Sequence, residues 1–353
     1  MKKKSNKLNL IICGIAFVVM VVYLFFVDGV DNLLTSLKNI NPLYLVVAVL
    51  FMAGYWFCEA WGLHIAVKSL DRNVKFGTTL LVAMIGQYFN CITPCASGGQ
   101  PMQAYAFVKR GLSLGSAMTS LLSRFIVYQL MLTIYSIVFL VFKLPMFMGG
   151  SLQGLTFLVI IGFIVNTAVI LLLLMLAFFR KPATKLAHGT IKLLAKIRLI
   201  KKPDEKIAYI DEELEQYYRN FLFIKHRPVL LVRMCLVTAV QLLFYFGITY
   251  IIYLGFGMRE ADFFTIIACQ AFVLMISSFV PLPGALGAAE GSYAAFFGGI
   301  FGEYTGFSTF IWRFLTFYLP IIVGIVINIR LSKSGIDLSK SEEAIKAAND
   351  NIE

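Results

Sequence analysis

Long apolar stretches separated by short polar turns run along almost the whole chain. Those near 8–27, 41–67, 113–142, 151–179, 229–256 and 307–330 are each long enough for a membrane-crossing helix, which needs about 20 residues. Two further apolar stretches, 78–108 and 261–302, are each interrupted by a cluster of Pro, Gly and small polar residues. The first interruption reads Thr93-Pro94-Cys95-Ala96-Ser97-Gly98-Gly99-Gln100. The second reads Pro281-Leu282-Pro283-Gly284-Ala285-Leu286-Gly287-Ala288-Ala289-Glu290. The uninterrupted pieces 78–92 and 288–302 are about 15 residues long, or roughly 22 Å as helix, against a hydrocarbon core of about 30 Å. Each stretch therefore reads as a re-entrant hairpin that dips in and returns to the same side. Two short crossings per stretch would preserve the same parity. The predicted fold is an all-α polytopic membrane protein with about six full spans and two re-entrant helical hairpins, with an inverted repeat expected. Residues 1–335 form one transmembrane domain, and 336–353 form a short polar tail.

Composition agrees with that pattern. Apolar residues make up 59% of the chain and charged residues 14%, against roughly 45–50% and 25% in soluble domains. The apolar run at 8–27 is longer than a signal-peptide core of about 7–15 residues and lacks an Ala-x-Ala site, so it reads as an uncleaved first span. The net charge of +12 lies in the turns between spans. It follows the positive-inside rule rather than any nucleic-acid motif. Lys2, Lys3, Lys4 and Lys7, then Lys68, Arg72 and Lys75, Lys109 and Arg110, the segment 180–227, and Arg330 with Lys333 all fall on one side. That side is assigned to the cytoplasm, with both termini there. Asp28, Asp31, 143–150, Glu260 and Asp262 fall on the other. The first hairpin then enters from the cytoplasm and the second from outside. The loop 180–227, with 12 Lys/Arg against 6 Asp/Glu, reads as a basic cytoplasmic helical hairpin whose first half suits a lipid surface. Six cysteines without Cys-x-x-Cys spacing and three distant histidines indicate neither a disulfide framework nor a metal site.

Ionisable groups inside spans are costly and mark functional candidates. Arg124 lies in the middle of 113–142, Arg313 lies within 307–330, and Glu59 lies deep in 41–67. Glu290 and Gln100 stand at the two breaks. The Gln100-to-Arg124 and Glu290-to-Arg313 spacings are nearly equal, at 24 and 23 residues. Pairing is expected between Glu290 and Arg313, and between Glu59 and Arg124. Gly98, Gly99, Gly284 and Gly287 would let helix N-termini approach an anion closely, and an Arg could hold a phosphate oxygen. Pairs that only fasten helices together are the competing reading. No Ser/His/Asp set, Walker-type loop or metal-ligand spacing is present, so no catalytic residue, cofactor or metal is expected.

Asn90-x-x-Thr93-Pro94-x-x-x-Gly98-Gly99-Gln100-Pro101, then Pro281-x-Pro283-Gly284-x-x-Gly287-x-x-Glu290-Gly291 and Trp312-Arg313, resemble the transmembrane flippase-like domain of lysylphosphatidylglycerol synthases. The resemblance runs from about residue 8 to 330. It implies a bacterial cell-membrane protein that moves a phospholipid, such as aminoacylated phosphatidylglycerol, between leaflets. Many relatives carry an acid near the position of Gln100, where this chain has a neutral amide. Full-length enzymes of the family append a soluble aminoacyltransferase domain, for which the tail after Leu331 leaves no room. The implied partners are an anionic or aminoacylated phospholipid, with a separate lipid-modifying transferase and a second copy of the chain as further candidates. Two alternatives stay open. One is a lysyl-tRNA-dependent phosphatidylglycerol lysyltransferase, the only reading that brings a nucleic acid. The other is a secondary transporter of a small solute, coupled through Glu59 or Glu290.

The orientation is testable with single cysteines in a cysteine-free background. A cysteine at Lys181 is expected to react with an impermeant maleimide only after the cells are permeabilised, and one at Glu260 in intact cells.

Overall fold

The computed structural model describes residues 30–142, 179–196, 203–277 and 282–333, together with residues 14, 160, 162–164, 167, 168, 171, 175, 178 and 280. The predicted first span at 8–27 apart from Gly14, most of the predicted span at 151–179, Pro281 and the tail 336–353 lie outside the described residues.

The described residues form helices joined by short non-helical segments, and no strand occurs among them. A short amphipathic helix, α1 (Val30–Asn39), precedes α2 (Pro42–Leu70), which the Asn41 side chain caps by accepting from the Leu43 N–H at 2.9 Å. Then come α3 (Phe76–Ile92), α4 (Gly99–Val108) and α5 (Leu114–Phe142). The basic segment forms α6 (Arg180–Lys196) and α7 (Pro203–Lys225). These run antiparallel, joined by His188–Asp211 at 2.7 Å and Arg180–Glu215 at 3.9 Å. The second half repeats the first with α8 (Pro228–Gly255), α9 (Phe263–Ser277), α10 (Ala288–Phe301), α11 (Thr305–Arg313) and α12 (Leu319–Lys333). Helices α2, α5 and α8 are long and apolar enough to cross a bilayer. The chain turns at Gly302, where φ is +54°, so 288–301 and 305–333 are separate limbs. Tyr293 stacks on Trp312 at 4.8 Å and Arg313 bonds Glu290, which makes α10 and α11 antiparallel.

The predicted span 307–330 is one continuous apolar run but not one uniform helix. A π-turn, Phe314–Tyr318, joins α11 to α12, with the Leu319 N–H reaching back to the Phe314 carbonyl. Pro320 has no N–H to give the preceding turn. The local widening follows from that missing donor.

The two halves are related by inversion. Helix α2 packs antiparallel on α8: Asn41 N–H donates to the Gly255 carbonyl at 2.9 Å, Gly247 faces Phe51, Gly54 faces Phe244, and Ala66 meets Met234. Chain order pairs α3 with α9, α4 with α10, and α5 with α11–α12. Within each break the chain doubles back. Gly99 lies against Asn90 and Gly86 against Gln103, while Phe272 stacks on Phe296. Each limb of 17, 10, 15 or 14 residues spans at most about 26 Å, short of the hydrocarbon core. Both hairpins are therefore re-entrant. Since α2 and α8 are antiparallel, the hairpins enter from opposite faces. Their tips meet in an isolated antiparallel bridge between Pro94 and Pro283.

The α2–α8 seam depends on two glycines. A Cβ on Gly247 would sit 2.7 Å from the Phe51 ring, and one on Gly54 would sit 3.0 Å from Phe244. Overpacking of this kind costs about 1–3 kcal/mol. Gly247→Leu is expected to lower the melting temperature in detergent, with Phe51→Ala in the same chain recovering part of the loss.

Candidate functional site

The two breaks have the same local build. After each bridging proline come two residues in the left-handed region, Cys95 and Ala96 (φ 51° each) in one half, Gly284 and Ala285 (φ 59° and 54°) in the other. Three of those four carry a Cβ, which costs energy at such angles. At Gly284 a side chain would also run into the Phe317 ring. Counting from the bridging prolines changes the correspondence between the halves. Arg124 and Arg313 each lie thirty residues beyond their proline, so the unequal 24 and 23 become one spacing. Gln100 then corresponds to Ala289, and the counterpart of Glu290 is Pro101.

The second break is fastened from within. Arg313, 5% exposed, donates from Nε to Glu290 Oε1 at 2.6 Å and from a terminal nitrogen to the Gly284 carbonyl at 2.8 Å. Its guanidinium lies 4.9 Å from the Phe317 ring centroid and 5.4 Å from that of Trp312. Glu290 uses its other oxygen to accept the Gly287 N–H at 2.7 Å, capping α10. One arginine thus holds the carboxylate that caps the helix and a carbonyl left over by the break. The expected Glu290–Arg313 pair is present.

The first break is built differently. Thr93 Oγ1 accepts the Gly98 N–H at 2.9 Å and donates to the Phe89 carbonyl at 2.6 Å. Gly99 is buried with its Cα against the Asn90 side chain. Gln100 sits half-buried in the first turn of α4 and makes no hydrogen bond with the described residues. The expected Glu59–Arg124 pair does not form. Glu59 accepts instead from Gln87 Nε2, and Arg124 donates to Gln241 Oε1. A neutral amide lies within reach of each charged group, and these amides take their places as partners. Arg124 is 7% exposed, and its Nε and one terminal nitrogen are buried without partners. Gly62 makes room for it, since a Cβ there would come within 2.7 Å of Nε.

Between the tips lies a cavity of about 190 Å³, reached by Tyr55, Gln87, Asn90, Tyr128, Gly284 and Arg313. Arg313 lines the cavity wall. Arg124 lies behind it, 5.8 Å from the centroid of Tyr128, which does line it. Glu59 connects to the wall through Gln87. The amides of Gly98 and Gly287, expected to face an anion, already have partners within the chain. Gln87, Asn90 and Gln241 carry no charge, so the cost of burying an ion does not single them out in the sequence. Polar side chains three apart in the apolar run 78–92, and a glutamine inside 229–256, were the signal available.

Breaking a buried ion pair from one side costs about 3–5 kcal/mol, because it strands the other charge. Arg313→Met is expected to lower stability by about 3 kcal/mol, and Arg313→Met with Glu290→Gln by clearly less. A double-mutant cycle on thermal unfolding in detergent measures the difference.

Residues 11–324 match the family described as Lysylphosphatidylglycerol synthase TM region. No curated protein matches the chain. The match covers both inverted halves and both breaks, and it fits a multi-pass membrane protein of lipid metabolism or translocation. The chain belongs to the family of the lysylphosphatidylglycerol synthase transmembrane region.

Proposed function

We propose that this protein is a translocase that moves a phospholipid headgroup across the bilayer through the seam between the two hairpin tips. The observation that carries the reading is the meeting of two re-entrant tips, from opposite faces, beside a cavity walled by a buried arginine. Non-helical backbone at membrane depth is tolerated where protein covers it or where it lines a cavity. Broken helices in matching places of inverted repeats are the usual setting of a transport site.

A cavity of about 190 Å³ is smaller than the roughly 300–1,000 Å³ of pockets that enclose drug-sized ligands. It suits a polar headgroup whose acyl tails stay in the bilayer. The two arginines then take different tasks. Arg124 has two unpaired donors in a low-dielectric setting, and an unmet donor there costs about 1–3 kcal/mol, more when charged. A phosphate oxygen reaching past Tyr128 recovers that cost. Arg313 is occupied by Glu290 and by Gly284, so it acts as a latch on the second tip. A phosphate competing for Arg313 releases Glu290. An aminoacylated headgroup carries an ammonium as well, which supplies the released carboxylate with a counter-ion. That exchange favours a headgroup bearing both charges, such as aminoacylated phosphatidylglycerol.

The test is reconstitution in liposomes with fluorescent phosphatidylglycerol and its lysyl derivative, reading leaflet exchange by dithionite quenching. Arg124→Gln is expected to slow exchange at least tenfold while melting as wild type does. Glu290→Gln is expected to slow the lysyl lipid more than the parent lipid. Equal exchange in the wild type and Arg124→Gln would remove Arg124 from the site. Exchange no faster than in protein-free liposomes would overturn the translocase reading.

A further inference from the structure

Glu59 lies near the middle of α2, three residues before Gly62, so the two share a face one turn apart. The Arg124 guanidinium packs on Gly62. A carboxylate and a guanidinium therefore stand about one turn apart at membrane depth without forming an ion pair. One turn further along the same face is Tyr55, whose hydroxyl accepts from Gln87 Nε2 at 3.4 Å. The same amide nitrogen donates to Glu59 Oε2. Tyr55 and Gln87 both line the cavity at the seam, so a short polar ladder runs from the cavity wall to Glu59.

The two carboxylates near the seam differ in what they leave free. Glu290 uses both oxygens, Oε1 for Arg313 and Oε2 for the Gly287 N–H. A proton on either would cost it a bond. Glu59 uses only Oε2, and its Oε1 makes no hydrogen bond with the described residues. A proton can therefore sit on Oε1 while Gln87 keeps its acceptor. Around Glu59 stand Tyr55 and Cys58 on α2, Arg124 and Tyr128 on α5, and Tyr245 on α8, packed on Tyr55 at 5.3 Å. Helix α3 turns the uncharged Gln87 toward it. Phenols and a thiol are ordinarily neutral at physiological pH, so Arg124 supplies the nearest charge.

That charge is the one an arriving phosphate would neutralise. With Nε and one terminal nitrogen of Arg124 engaged by an anion, Glu59 would face a second negative charge about one turn away. Like charges in a low-dielectric site disfavour the ionised form of a carboxyl. We propose that Glu59 takes one proton from water onto Oε1 when an anionic phosphate binds at Arg124, and returns it when the phosphate leaves. The inference rests on the reading of Arg124 as a headgroup site and adds to it a coupled ion. A phosphate and a proton that move together carry no net charge, so the membrane potential does not oppose them.

The test is titration calorimetry on the full chain in dodecyl maltoside with dioctanoyl phosphatidylglycerol. Pairs of buffers with equal pH and different ionisation heats count the protons exchanged. The wild type is expected to take up close to one proton per lipid at about pH 8, with affinity falling up to tenfold per unit as pH rises. Glu59→Gln, which keeps an acceptor for Gln87, is expected to bind with no proton uptake and no pH dependence. His64, whose Nδ1 lies 3.4 Å from Thr79 Oγ1, also titrates in this range, and His64→Gln is expected to behave as wild type. Dioctanoylglycerol, with the same tails and no phosphate, is expected to draw no proton. Wild-type binding without proton uptake, uptake that persists in Glu59→Gln, or uptake with dioctanoylglycerol would each overturn the proposal and leave the Arg124 site standing. No binding, or Arg124→Gln binding as the wild type does, would remove that site and the proposal with it.

Discussion

Non-helical backbone, 93–98 in the first half and 280 with 282–287 in the second, lies within the helical bundle. Its carbonyls and amides have lost their intrahelical partners, and hydrocarbon offers no replacement. The surrounding architecture meets that requirement. The Thr93 hydroxyl takes one amide, Glu290 takes another, Arg313 takes a carbonyl, and the two prolines bring the tips into contact. Inversion of the repeat makes this possible, because hairpins from opposite faces meet tip to tip. The antiparallel α2–α8 seam, drawn close by Gly54 and Gly247, fixes the inversion.

The electrostatics divide unevenly across that frame. In the second half a carboxylate, a guanidinium and a carbonyl satisfy one another. In the first half the corresponding arginine faces a single glutamine, and the carboxylate nearest in sequence pattern, Glu59, is held by Gln87. A guanidinium buried with two donors to spare is costly, because the unmet groups carry charge. That imbalance distinguishes the two arginines, although they occupy equivalent positions.

Much of this was legible in the residues. Apolar run lengths located α2, α5 and α8 to within a few residues, and the Pro/Gly clusters located both breaks. Limbs of 17, 10, 15 and 14 residues are too short to cross, and run length alone therefore points to hairpins. Glu290 and Arg313 were paired from cost alone. Other features were out of reach for physical reasons. Spacing from Gln100 and Glu290 placed the halves one residue out of register, because only the bridge shows that Pro94 and Pro283 are the equivalent points. Glu59 was matched to Arg124 by charge, but a glutamine in reach competes with an ion, and sequence does not say which side chain is nearer. Helix α1 and the π-turn after Arg313 leave no clear mark on hydropathy.

A strict twofold would present the same groups to a molecule arriving from either face. Two prolines break that equivalence. Pro101 stands where the other half has Glu290, so only one hairpin has an acid in its first turn. Pro320 widens the helix after Arg313, whereas its counterpart, Met131, sits in an unbroken helix with its N–H intact. The halves cannot simply trade shapes, since a π-turn near Met131 would lack the missing donor that favours it near Pro320. The fold is thus symmetric in its path but polar in its chemistry, like a turnstile with different bearings on its two sides.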